Sequence, residues 1–338
     1  MLYITTRDHK ETFTSHRTLC ANYAPDNGQF IPFVMPEYTD TELQHLLNKS
    51  FGEIVAEILN HFFSARLTGS DIDFAIGRNA VKLIPMNHKI VVSELWHNPG
   101  SGFTYTINTL YSKIIGCDKH NTKPTRWFEI AVRIAVLFGI YRELVGSDLL
   151  LQGQLVDISV PADDFSAAFA AFYAKQMGLP LGKIICTTDD SSALWDLIHR
   201  GNFTPDPACF AIQPGVEMLI HATLGEDEAN KFSKKCADGR AYTVDEEQLP
   251  ILNDGLFCSV ASYARTEATI NSVYRSNDYI IDTKTAFCYG GLQDYRAKHG
   301  DGRLTIILAE SNPMDDANAI QSATGIKKLN LIDHINNT

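Results

Sequence analysis

Apolar residues return at helical intervals through residues 38–63, "YTDTELQHLLNKSFGEIVAEILNHFF". Leu43, Leu46, Leu47, Phe51, Ile54, Val55 and Ile58 share one face, and Thr39 and Asp40 are cap candidates. "VKLIPMNHKIVVSELW" (81–96) then supplies strand material. From residue 125 onward the pattern alternates. A long buried helix is expected over about 125–145, followed by the strand "QLVDISVP" and the helix "DDFSAAFAAFYAKQMG", closed by Gly178. The strand "GKIICTT" and the helix "SSALWDLIHRG" come next. Helices around 264–275 and 284–298 precede the strand "RLTIILAE" and a last short helix. Nearer the start, Asp26-Asn27-Gly28 marks a tight turn between short extended pieces. Short buried strands between amphipathic helices predict an α/β fold, a mainly parallel twisted sheet with helices on both faces. Ligands bind such sheets at the carboxyl ends of strands, which directs attention to the loops after Leu95, Val160, Cys186 and Ala309.

Length and composition narrow the function classes. The 338 residues suit one large or two ordinary domains, and the net charge is −11. No basic run interleaved with aromatics occurs, so neither nucleic acid nor an anionic membrane is an expected partner. The seven cysteines are odd in number and never in CxxC spacing, which points to reduced thiols in a cytoplasmic protein. The opening "MLYITTRDHKETFT" lacks the apolar core of a signal peptide. "WFEIAVRIAVLFGIYREL" (127–144) is the longest apolar run, but Glu129 and Arg133 interrupt it, so it reads as a buried helix.

The strand-end loops are rich in acids. The first offers Glu94, His97, Ser101 and Thr104; the second, Asp163 and Asp164; the third, Asp189 and Asp190; the fourth, Glu310 and Asp315. On a shared rim they would form a carboxylate cluster able to bind a divalent metal or an amine, or to do acid–base chemistry. Asp at a helix start is also an ordinary N-cap, the preferred reading for Asp163/Asp164 and Asp189/Asp190. A lone His97 is more often a hydrogen-bonded structural histidine than a ligand. No GxGxxG, P-loop, HExxH or GxSxG motif is present.

Seven ordered stretches nevertheless resemble the threonine synthases, of the tryptophan-synthase-β-like, fold-type II group of pyridoxal-phosphate (PLP) enzymes. "YITTRD" (3–8) is similar to Y-x-S-T-R-G, and "ANYAPDNGQFIPFVMP" (21–36) to A-x-D-G-G-L-Y-V-P. "ELWHNPGSGFTYT" (94–106) resembles E-L-F-H-G-P-T-x-A-F-K-D, and "NTKPTRWFEIAVRIAVLF" (121–138) the N-S-x-N-x-x-R helix. "VDISVPADDFSAAFAAFYAKQMGLPL" (156–181) resembles V-x-V-P-x-G-N-F-G-N with its A-x-Y-A-K-x-M-G-L-P continuation. "YIIDTKTAF" (279–287) is similar to Y-x-x-D-P-H-T-A-V, and "LAESNPMD" (308–315) to L-A-T-A-H-P-A-K. The resemblance implies an N-terminal segment over 1–85 and a PLP-fold α/β core over 86–338, with the small mobile domain largely deleted near 114–121.

The departures fall on the cofactor positions that the resemblance implies. Where the family has the lysine that forms the PLP Schiff base, this chain has Thr104, and a hydroxyl cannot form an imine. The phosphate-cradling G-N-F-G-N is replaced by Asp163, Asp164, Phe165, Ser166 and Ala167. A carboxylate about 4 Å from a phosphate charge costs roughly 4 kcal/mol at an effective dielectric of ~20. The segment bearing T-S-G-D-T-G is missing, and the loop on the pyridine-nitrogen side has become Glu310-Ser311-Asn312-Pro313-Met314-Asp315. Neither PLP nor another cofactor is therefore expected; a divalent metal has only the carboxylates to recommend it. Two readings follow. One is a non-catalytic threonine-synthase scaffold that binds a small molecule or a protein, in amino-acid or natural-product metabolism. The other is a PLP-independent enzyme using His97, Thr104, Asp163, Asp164 or Glu310 in a remodelled acidic pocket. A working threonine synthase is the least favoured. The resemblance implies a homodimer as the default assembly.

Overall fold

The computed structural model describes residues 1–335 except 78–80, 99, 101, 117–122, 163–164, 189–192, 206–213, 301, 328–329 and 333–334. The chain opens with β1 (Leu2–Thr5), β2 (Phe13–Thr14), α1 (Ser15–Cys20) and β3 (Phe30–Pro32), then α2 (Asp40–Leu47), α3 (Phe51–Phe63) and α4 (Gly69–Ile76). The hairpin strands β4 (Lys82–Met86) and β5 (Ile90–Glu94) lead into α5 (Phe103–Ile115) and α6 (Arg126–Gly146). Next come β6 (Val156–Pro161), α7 (Ser166–Gln176), β7 (Leu181–Thr188), α8 (Ala193–Arg200) and β8 (Asn202–Phe203). They are followed by α9 (Pro214–Leu224), α10 (Glu226–Ala237), β9 (Tyr242–Thr243), α11 (Leu249–Leu252) and β10 (Leu256–Val260). The chain continues with α12 (Tyr263–Asn277), α13 (Thr283–His299), β11 (Thr305–Ala309), a 3-10 turn (Pro313–Asp316) and α14 (Ala317–Thr324).

Six strands form the central sheet in the order β10-β7-β6-β11-β5-β4. All neighbours run parallel except β4 and β5, the antiparallel pair at one edge. Successive strand residues face opposite sides, and the core divides accordingly. Val91, Ile184 and Ile306 join a cluster with α3, α6 and α7, while Val92, Ile185 and Ile307 join one with α12, α13 and α14. The expected α/β architecture, with helices on both faces, is the one observed. The N-terminal strands make a separate antiparallel sheet, β2-β1-β3.

Local chemistry sets the boundaries. The helical periodicity of 38–63 is divided between two helices because Ser50 starts a new one. Its hydroxyl accepts from the Glu53 N–H while the Glu53 carboxylate accepts from Ser50 N. Thr39 and Glu42 cap α2 in the same way. After α7, Gly178 adopts φ +98°, and a Cβ there would lie 2.6 Å from the Tyr38 carbonyl oxygen. The Tyr38 N–H donates to Met177 O at 2.9 Å, so the chain crosses itself tightly at this point. Gly178→Ala is expected to lower the unfolding free energy by more than about 1 kcal/mol. Urea denaturation measures this, and a loss below about 0.5 kcal/mol would show that the crossing relaxes freely.

Among the described residues, no helix is long and apolar enough to cross a membrane.

Candidate functional site

Two strand-end loops are stitched together beside β5. Leu95 N donates to Ala309 O and Phe103 N to Glu310 O, each at 2.8 Å, so the loop after β5 lies against the loop after β11. Asn98 closes the first loop internally. Its Nδ2 donates to Gly102 O at 2.6 Å and to Thr106 Oγ1 at 3.1 Å, and its Oδ1 accepts from Gly100 N. Gly102, the N-cap of α5, takes φ +130°, which lets the chain turn directly into the helix. On the neighbouring strands, Ala162 N donates to Thr187 O and Ala261 N to Thr188 O, continuing the rim over β6, β7 and β10.

The carboxylates on this rim are not equivalent. Glu310 receives Arg133 in a two-pronged ion pair, Nε to Oε1 at 3.1 Å and Nη2 to Oε2 at 2.8 Å. The same guanidinium lies over the Phe103 ring, 5.5 Å from its centroid. Glu310 is thus neutralised by the arginine that interrupts the apolar run of α6, and it braces the loop instead of making the rim acidic. Asp163 and Asp164, with Asp189, Asp190 and Ser101, lie outside the described residues. Of the loop that follows, Phe165 is fully buried in a left-handed conformation (φ +63°) as the N-cap of α7, Ser166 is buried, and Ala167 is half-buried. Thr104 stands exposed in the first turn of α5. Lys113, near the other end of α5, pairs with Asp71 at 2.9 Å.

His97 is held by a partner that its sequence neighbourhood contains. Its Nε2 lies 2.6 Å from Oε2 of Glu94, the last residue of β5, and its ring stacks on Trp96 with centroids 3.8 Å apart. Glu94 is buried, and its Oε1 accepts from the Tyr279 hydroxyl at 2.5 Å. Burial first, then the Glu94 charge, push the Tyr279 phenol well above its ordinary range, so it stays a donor.

Just beyond Tyr279, buried Asp282 caps α13, accepting from Lys284 N at 2.9 Å, Thr285 N at 3.1 Å and the Thr285 hydroxyl. Burial outweighs these bonds and pushes its carboxyl up to about 6, with nearby Asp316 adding to the rise. Asp316 accepts from Thr283 N and the Thr283 hydroxyl. Among the described residues, no group of three His, Cys, Asp or Glu side chains could hold a metal ion.

The structure therefore brings His97 together with Glu94 and commits Glu310 to Arg133. Tyr279, Asp282 and Arg133 were absent from the candidates read along the chain. Tyr279 and Asp282 sit in "YIIDTKTAF", quoted above only for its likeness, and nothing local in that stretch signals that it meets the end of β5. Arg133 did carry a signal, since a charge inside a buried helix requires a partner.

Residues 2–79 match the family described as threonine synthase N terminus. Threonine synthase-like 1 of Homo sapiens is 23% identical over 198 residues, 55% of this chain and 26% of that protein. Threonine synthase of Saccharomyces cerevisiae is 23% identical over 235 residues, 61% of this chain and 45% of that protein. The chain thus spans less than half the length of these relatives. The crystal structure of PLP-bound threonine synthase from Brucella melitensis superposes with a TM-score of 0.81 at 18% identity, covering 96% of this chain and 92% of that one. That likeness is one of fold. The N-terminal match, the sequence relatives and the shared fold all point to similarity with threonine synthases.

Proposed function

We propose that the protein is a threonine-synthase-like pseudoenzyme, without PLP-dependent catalysis, that binds a small molecule or a protein partner in amino-acid-related or natural-product metabolism. The observation that carries the reading is Thr104, exposed in the first turn of α5, where the family resemblance calls for the imine lysine. A hydroxyl supplies no imine. Lys113 is nine residues further along the helix, a rise of about 13 Å, and is engaged by Asp71. In the loop after β6, where the resemblance places the phosphate-cradling motif, Phe165 is kept but Ser166 and Ala167 replace its second Gly and last Asn. These residues do not suit PLP. Loss of the small domain near 114–121, a cytoplasmic location and a homodimer belong to the same proposal.

The test is a PLP titration followed by absorbance and borohydride reduction. No Schiff-base band and no reductively fixed lysine are expected. A band that disappears on mutation of a single lysine would overturn the reading.

A second reading, PLP-independent chemistry in the remodelled cleft, is favoured by one specific observation. A buried Glu94 carboxylate is directed onto a partly exposed imidazole.

A further inference from the structure

A cleft of about 820 Å³ opens between the segment after β1 and α10, within the size range of small-molecule sites. Its two walls are tied together, because Asn230 Nδ2 of α10 donates to Arg7 O at 2.8 Å. Both walls carry ammonium groups, Lys10 from the first and Lys231, Lys234 and Lys235 from the second. Lys231 pairs with Glu228 at 3.1 Å. Among the described residues, Lys10, Lys234 and Lys235 form no ion pair. Lys231 and Lys235 each stand 5.9 Å from the centroid of the Tyr242 ring, so like charges gather on one side of α10. Cations at the C-terminal end of α10 also serve the helix dipole, but that does not account for Lys10, which lies on the other wall and in no helix. The carboxylates of the cleft are largely spent within the protein. Asp8 accepts from Lys10 N, Asp26 from Thr5 Oγ1 and Gly28 N, and Glu226 faces His9 Nδ1 at 3.3 Å. They border the site closely enough to repel the further charges of a long polyanion, so the opening favours a compact one.

The kind of cation present narrows the anion. A planar guanidinium fork suits a carboxylate, but that of Arg7 is consumed by Glu217, with Nε and Nη2 each at 2.9 Å. What remains are ammonium groups, point charges that suit phosphoryl oxygens. Uncommitted cations on both walls match an anion with two phosphoryl groups, which can span the cleft, better than a single phosphate. We propose that this cleft binds a small molecule bearing a diphosphate group, held between Lys10 on one side and Lys234 and Lys235 on the other.

The inference gives a ligand class to the small-molecule binding proposed above and rests on that reading, yet the two fail separately. A Schiff-base lysine would sink the pseudoenzyme reading and leave the calorimetry below untouched; absence of diphosphate binding would leave Thr104 and its consequence as they stand. The test is isothermal titration of the full chain with inorganic pyrophosphate, beside inorganic phosphate and citrate. Pyrophosphate is expected to bind saturably and at least tenfold more tightly than either of the others. Lys10→Gln, Lys234→Gln and Lys235→Gln should each weaken it about fivefold, and the triple variant by about a hundredfold. Lys327→Gln, an exposed lysine outside the cleft, should bind as the parent does. Circular dichroism establishes that the variants are folded, and pyrophosphate should raise the unfolding midpoint of the parent but not of the triple variant. No saturable binding of pyrophosphate by the parent, equal binding of phosphate or citrate, or binding unchanged in the folded triple variant would each overturn the proposal.

Discussion

Replacing Arg7 with alanine is expected to lower the unfolding free energy by about 3–5 kcal/mol, the cost of leaving a buried carboxylate without its partner. Arg7 Nε and Nη2 each reach Glu217 at 2.9 Å, and Thr6 Oγ1 donates to the same carboxylate at 2.5 Å. The Glu217 side chain is 1% exposed against 20% for Arg7, so desolvation falls chiefly on the acid. The pair joins the segment after β1 to α9, across more than half of the chain, and Asn230 of α10 adds a bond to Arg7 O. Without the guanidinium, Glu217 must take up a proton or draw in water. The double variant Arg7→Ala/Glu217→Gln should recover much of the loss, because a neutral amide is left instead of a charge. Urea denaturation of the two variants beside the parent measures the effect. A loss under about 1 kcal/mol in Arg7→Ala would show that water already solvates Glu217.

The second large effect is one of pH. Asp282 is buried, and its carboxyl is pushed up to about 6 by desolvation, against an ordinary value of about 3.9. Below pH about 4 it is protonated in both the folded and unfolded chains. Between about 4 and 6 the folded protein retains a proton that the unfolded chain has released, so stability falls as pH rises through that window. Above about 6 the loss is complete, and its ceiling is about 3 kcal/mol. Asp282→Asn keeps an oxygen for the Lys284 and Thr285 N–H groups and removes the charge. Relative to the parent, the variant should gain on the order of 2–3 kcal/mol between pH 4 and pH 7. His221 works in the opposite direction. Burial, with His9 beside it, lowers its value to about 4, so its stabilising contribution is lost as pH falls from about 6.5 through 4. That term is common to both proteins and cancels in the difference. Denaturation midpoints at a series of pH values read the result. A difference that stays flat with pH would refute the upward shift of the buried carboxyl.

The sheet and its flanking helices were legible along the chain because each buried strand and each long helix carries its own periodicity. The run that became α6 and the segments that became β6, α7, β7 and β11 are examples. The break between α2 and α3 was harder to read, since apolar spacing continues across Asn48–Ser50 and only the Ser50–Glu53 capping box divides it. The two-residue strands β8 and β9 are too short to impose a pattern. At the candidate site, Glu94, His97, Thr104 and Glu310 could be named because they fall in strand-end loops. Their states could not. Glu310 and Arg133 are 177 residues apart, and nothing near either shows that their charges cancel.

What the sequence by itself determined is local or inherited: the α/β alternation, the likeness to threonine synthases, and the identity of Thr104 where that likeness implies a lysine. What only the tertiary structure decided is which polar groups share a desolvated space. Tyr279 reaches Glu94 across 185 residues because β11 lies beside β5 and α13 packs on the face of the sheet to which its neighbours Ile280 and Ile281 belong. The reason is physical. Periodicity records which way a side chain faces, whereas the working state of an ionisable group depends on burial and on partners that strand order brings from distant parts of the chain.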